Sequence, residues 1–280
     1  MTAILTLHAD GYYAGTRHRP HQHDELHLSL VLSGQISETV CGTTEFAGAL
    51  SVVAKDSGVM HANDFGPSGA RMARLTLKDG TIDALVGDPA RRVAWRWRHD
   101  ASVARPYVRL VRRGRAGTTT FGCDDPDLVD LLAALTARRA PPVKGTPPRW
   151  LALTVAELRS EWSAQKSVAD VARRAGVHPV YLARCLRRWY GTGVAEELRR
   201  LRLQSAAAAM LEAKGTISDI AHSRGFSDEA HLCRDFHRAI GMSPGRYRAL
   251  VKQLDYVWRG GHRRTPGFGN SSHLIERSAS

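Results

Sequence analysis

Apolar and polar positions change rhythm midway along this chain. In residues 1–80 they repeat at period two: Leu26, Leu28, Leu30 and Leu32 alternate with other residues, and Gly34, Gly42, Gly48 and Gly58 punctuate the segment. That rhythm predicts short β-strands. From Asp124 to Arg139 the spacing becomes helical, with Leu128, Leu131, Leu132 and Leu135 on one face and Pro126 suited to a first turn. Residues 141–148, Pro-Pro-Val-Lys-Gly-Thr-Pro-Pro, cannot continue a helix and read as a linker. From Arg149 the pattern is helical throughout. The Gly, Ser and Arg content of residues 259–280 predicts a disordered tail.

Two stretches of the helical half share one pattern. Ser167 to Tyr190 and Ile217 to Ile240 each hold a short apolar helix, a turn glycine (Gly176, Gly225) and a basic helix of a length that fits a DNA major groove. Ser167 with Asp170 has the spacing of a capping box, Pro179 occupies a first-turn position, and Asp228 and Glu229 after Ser227 complement a helix dipole. Val194 to Ala213 predicts a connecting helix, and Ser243-Pro244 starts a last short one. A connecting helix of about 20 residues is ~30 Å long. Successive major-groove faces on one side of B-DNA lie ~34 Å apart. Both basic helices can therefore enter adjacent grooves of one duplex face. A helical bundle with merely solvated arginines is the plain alternative, and the doubled motif at this spacing weighs against it.

Charge follows the same division. The 280-residue chain carries a formal net charge of +13, with 43% apolar residues. Residues 149–259 hold 19 Lys and Arg against 11 Asp and Glu, whereas residues 1–148 hold 18 against 15. The excess suits a polyanionic partner. Cys41, Cys123, Cys185 and Cys233 form no C-x-x-C pair, which fits reduced thiols in a cytoplasmic protein. No apolar run approaches the ~20 residues of a membrane span, and no signal peptide is expected.

A family resemblance rests on residues 149–250. Its carriers are Ala172 with Gly176-Val, Tyr181-Leu-Ala-Arg184, Trp189-Tyr-Gly191, Arg202-Leu203, Ile220-Ala221, Gly225-Phe226, Phe236, Gly241-Met-Ser-Pro244 and Tyr247. The segment resembles the DNA-binding domain of AraC/XylS transcriptional regulators. That resemblance implies base contacts from Val180, Ala183 and Arg184 in the first basic helix, and from Glu229, Ala230, His231 and Arg234 in the second. The chemistry agrees: Arg184 and Arg234 can bind guanine bidentately, His231 can donate to a base, Glu229 can accept from cytosine, and Val180 and Ala183 offer apolar contact. Arg173, Arg174, Arg187, Arg188 and Arg238 are expected at phosphates or in solvent.

In the N-terminal half, Gly15-x5-His21-x-His23-x3-His27-x6-Gly34 resembles the first cupin motif, with His27 where cupins usually have Glu. Gly58 and His61 fit the second motif loosely. In an extended strand His21, His23 and His27 would share one face. The set His21, His23, His27 and His61 reads as an effector or metal pocket: ligands of a divalent metal, the lining of an organic-ligand pocket, or structural histidines. The arginine-rich residues 91–115 could bind an acidic effector or cover the barrel, and the Leu128–Leu135 helix could dimerise or pack on its own domain.

The combined expectation is an α+β chain of two domains. A cupin-like β-barrel sensor and dimerisation domain (1–140) precedes an all-α double helix-turn-helix domain (149–253). The implied function is sequence-specific transcription regulation, without enzymatic activity, controlled by a small molecule or metal. The implied partners are double-stranded DNA, an effector, RNA polymerase if the protein is an activator, and a second copy in a homodimer, with no membrane. Two rivals stand beside it: a cupin metalloenzyme carrying a DNA-binding module, and a constitutive DNA binder whose N-terminal domain only dimerises.

Overall fold

The computed structural model describes residues 2–77, 95–114, 117–122, 124–137, 145–160, 167–212 and 215–260. Seven strands form one antiparallel sheet: β1 (Thr2–Tyr12), β2 (Arg17–His21), β3 (Leu26–Val40), β4 (Thr43–Gly48), β5 (Val52–Lys55), β6 (His61–Leu77) and β7 (Gly117–Gly122). Their order is β4-β3-β6-β1-β7, with β2 also on β6 and β5 also on β3. The expected barrel is corrected here: among the described residues no pairing joins β4 to β7, so the sheet is curled but not closed.

The curl comes from the two long strands. β3 pairs with β6 from Leu26↔Leu77 to Thr39↔Ala62, with register shifts between Val31 and Ser33 and between Gly34 and Ile36. At that bend Gly34 has φ +78°, and a Cβ there would lie 1.9 Å from the Gly69 carbonyl oxygen. Only glycine allows the two backbones to approach so closely in that conformation.

Both faces of the first half of β3 are buried. Leu28, Leu30 and Leu32 join a core that includes helix α1 (Ala101–Arg113) and helix α2 (Pro126–Thr136). The fully buried Tyr107 of α1 donates from its hydroxyl to the Leu28 carbonyl at 2.7 Å and accepts from the Leu75 N–H at 3.1 Å. Within the arginine-rich stretch, helix α1 packs on the sheet. Its apolar face is inward, while Arg109 pairs with Asp127 at 2.5 Å and Arg113 with Asp125 at 2.8 Å. Helix α2 likewise buries its four leucines on its own domain.

The C-terminal half is all helix: α3 (Arg149–Ser160), α4 (Val168–Arg174), α5 (Pro179–Tyr190), α6 (Val194–Glu212), α7 (Ile217–Ser223), α8 (Glu229–Ile240) and α9 (Pro244–Gly260). Its packing is divided. Leu151, Val171, Leu182, Leu186 and Leu198 belong to a separate core of α3, α4, α5 and the start of α6. Leu203, Met210, Phe226, Phe236 and Tyr247 instead share one core with the sheet. The last helix spans 17 residues and reaches Gly260, so it is neither short nor ended before position 259 as expected. Most of the expected linker (141–144) and the expected tail from residue 261 lie outside the described residues. Among the described residues no helix is long and apolar enough to cross a membrane.

Candidate functional site

The two helix-turn-helix units are built by the same local chemistry. In the first, the Ser167 side chain and Asp170 close a capping box on α4, with the Asp170 N–H to Ser167 Oγ distance at 3.1 Å. Thr216 and Asp219 do the same for α7, also at 3.1 Å. Sequence reading missed that second box, although T-x-x-D is the same signal. After the turn glycine, α5 starts with Pro179 behind an N-cap at His178. α8 starts behind Asp228, whose carboxylate accepts from the His231 N–H at 2.6 Å. Both recognition helices run 12 residues and end at left-handed glycines, Gly191 and Gly241.

One side of their first two turns faces solvent. Val180 is 59% exposed, and Arg184, Glu229, Ala230 and Arg234 are exposed, while Ala183 and His231 are half-buried. Arg184 and Arg234 make no hydrogen bond or ion pair among the described residues. His231 is partly committed: its Nδ1 lies 3.1 Å from Ser227 Oγ and its Nε2 lies 3.6 Å from Asp235. Of the arginines expected at phosphates, Arg173 pairs with Asp170 at 2.7 Å, Arg174 with Glu157 at 2.7 Å and Arg238 with Asp235 at 2.9 Å. Arg187 and Arg188 are exposed, and Arg188 also lies over the Trp189 ring. The far end of α8 is not free. Arg105 of α1 donates to the Arg238 carbonyl oxygen, its Nε at 3.0 Å.

The histidines come together, but not on one strand face. His21 ends β2 opposite His61 on β6, His23 sits in the connection, and His27 lies on β3. One ligand atom each from His21, His23 and His61 falls within 4.8 Å of the others. His27 stands behind His23, ring centroids 4.2 Å apart, and outside that convergent trio. The Nδ1 atoms of His21 and His61 lie 2.8 Å and 2.9 Å from the carbonyl oxygens of Arg19 and Val59. A carbonyl only accepts, so each Nδ1 carries a proton.

Burial drives the electrostatics. It lowers His23 to about 3, His27 to about 2 and His61 to about 4, helped by neighbouring histidines and by the Lys55 ammonium. Beside them, sequence reading missed a buried polar knot. Glu38 accepts from Lys55 Nζ at 2.7 Å, Asn63 Nδ2 at 2.9 Å and Trp95 Nε1 at 2.6 Å. Burial works to raise the Glu38 carboxyl, but the Lys55 charge and these bonds outweigh it and hold it below the usual range. The cavity lined by the four histidines, Lys55 and Asn63 is small, about 30 Å³.

Residues 171–250 match the helix-turn-helix domain family. The transcriptional regulator GlxA of Rhizobium meliloti is 30% identical over 181 residues, 64% of this chain and 48% of that protein. A putative AraC-like transcription regulator of Streptomyces lividans is 40% identical over 82 residues, 29% of this chain and 27% of that protein. Over the matched residues the chain is similar to AraC-like transcriptional regulators. It spans about half or less of the length of these AraC-like relatives. The DNA-binding domain of AdpA, solved with a target DNA, is 26% identical and covers 44% of this chain and 100% of that domain, at a TM-score of 0.34.

Proposed function

We propose that the protein is a sequence-specific, DNA-binding transcription regulator controlled through its N-terminal domain. The observation that carries this reading is the pair of 12-residue helices whose second turns present exposed, unpaired Arg184 and Arg234. They stand at either end of the 19-residue α6, which is ~28 Å long at ~1.5 Å per residue. In this reading Val180, Ala183, Arg184, Glu229, Ala230, His231 and Arg234 meet bases. Arg187 and Arg188 meet phosphates, and Arg173, Arg174 and Arg238 do so by exchanging intramolecular carboxylates for them.

The N-terminal half (1–140) acts as a cupin-like sensor, joined through residues 141–148 to the DNA-binding half (149–253). Its pocket of His21, His23, His27 and His61 takes the effector. Strand β3 is the shared wall: His27 and Ser29 line the cavity, while Leu28, Leu30 and Leu32 contribute to the core that holds α8 and α9. A change in the pocket is thereby passed to the second recognition helix. The protein acts in the cytoplasm, as a homodimer on paired sites, and contacts RNA polymerase where it activates. The metalloenzyme rival is not favoured, since the relatives are transcriptional regulators.

The test is a salt titration of the full chain on a duplex selected from random sequence. Log affinity should fall linearly with log salt at about −0.9 per neutralised phosphate. A flat titration, or equal affinity for selected and scrambled duplexes, refutes the reading.

A further inference from the structure

The histidine trio has the marks of a metal site. Its donors are three imidazoles, and two of them have one ring nitrogen fixed by a backbone carbonyl, the arrangement that orients metal-binding histidines. All three ligand atoms lie within 4.8 Å of one another, close enough to share one ion. The supports differ. The strand pairing His21↔His61 sets two donors opposite each other, and the β2–β3 connection brings His23 over them.

The surroundings permit a cation. Lys55 is neutralised by Glu38 at 2.7 Å and Arg74 by Asp10 at 3.3 Å, so neither positive charge faces the trio uncompensated. His21 and His23 are half-buried, which leaves an entry path, whereas His61 forms the buried floor. The cavity of about 30 Å³ holds an ion and a water or two. It does not hold the ~300 Å³ or more of a drug-sized organic ligand.

We propose that His21, His23 and His61 bind one divalent first-row transition ion, of the zinc, cobalt or nickel class, with a remaining position open to water in the cavity. Imidazole donors suit these ions, while magnesium and calcium require oxygen ligands. Three protein ligands and one open position are the pattern of an exchangeable rather than a closed structural site. This names the effector of the pocket, and to that extent it rests on the regulatory reading above.

The experiment uses the purified full chain, stripped with chelator and titrated with Co²⁺ and Zn²⁺ alone. The expected result is about one equivalent per chain, with visible Co²⁺ absorption of low-symmetry, four-coordinate type. His21→Ala and His23→Ala, at half-buried positions, should each weaken binding more than ~100-fold, beyond the ~10–100-fold that loss of an outer partner costs. His61→Gln should do the same, and His18→Ala should stay within ~10-fold of the parent by the same measure. Circular dichroism and Tm without metal verify that each variant is folded. Absence of stoichiometric binding by the parent, or binding undiminished in folded His21→Ala and His23→Ala, overturns the metal site. The salt titration of DNA binding does not depend on that outcome, so a metal-free pocket leaves the regulator reading standing.

Discussion

The hydroxyl of Tyr247 donates to the carbonyl oxygen of Leu32 at 2.6 Å, tying the last helix to the strand that walls the histidine pocket across 215 positions of sequence. Both residues are buried, and Phe236 of the second recognition helix packs edge-on against the same ring, centroids 5.2 Å apart. One side chain thus touches strand β3 and helix α8. Gln204 adds a second tie from α6, donating to Ser51 Oγ at 3.2 Å.

Tyr247→Phe keeps the ring and removes the hydroxyl. It should lower unfolding free energy by ~1–3 kcal/mol, the cost of a lost buried hydrogen bond. Urea unfolding measures that loss, and a stability equal to the parent's would show that the tie contributes nothing. The substitution should also reduce the effect of pocket occupancy on DNA affinity.

Gly34→Ala should be far more damaging. The new Cβ would meet the Gly69 carbonyl oxygen at 1.9 Å with φ at +78°, and neither backbone can retreat without breaking the β3–β6 pairing. A loss above ~3 kcal/mol, or failure to fold, is expected. Gly42→Ala, where nothing lies within 4 Å of the added Cβ, keeps only the strain of its φ of +74° and should cost less. Paired denaturation curves decide the order.

Acid should weaken the metal-free protein. Burial lowers His27 to about 2 and His61 to about 4 from an ordinary 6.5. Below 6.5 the unfolded chain takes up protons that the folded chain refuses, so stability falls as pH drops through the window from 6.5 toward 4. Between pH 6.5 and about 5 each of these histidines should cost roughly 1–2 kcal/mol. Urea midpoints across that range measure the slope, which His61→Gln should reduce. An unchanged slope in that variant would exclude His61 as a source.

Arg234 and Arg188 should separate by kind of contact. Arg234→Ala is expected to cost ~1–3 kcal/mol on the selected duplex and almost nothing on scrambled DNA. Arg188→Ala should weaken both alike and reduce the salt slope by about 1. Equal losses on both duplexes for Arg234→Ala would move it to the phosphate backbone.

What the sequence determined by itself was whatever depends on neighbours a few positions apart. The Ser167–Asp170 box, Pro179 at the head of α5 and the four leucines of α2 were legible because capping and helical periodicity act within a turn or two. The division of each recognition helix into a buried and an exposed face follows from the same local periodicity. Helix α1 was hidden by its arginines and by Pro106 within it, since its apolar face shows only once Tyr107 meets the sheet. Tertiary structure alone decided that the sheet stays open, that Glu38 is buried with Lys55, and that His27 packs on His23 without joining the convergent trio. It also decided that the second helix-turn-helix unit shares a core with the sheet while the first does not. Such outcomes depend on which apolar faces meet across a hundred or more residues, a packing competition that no local pattern records.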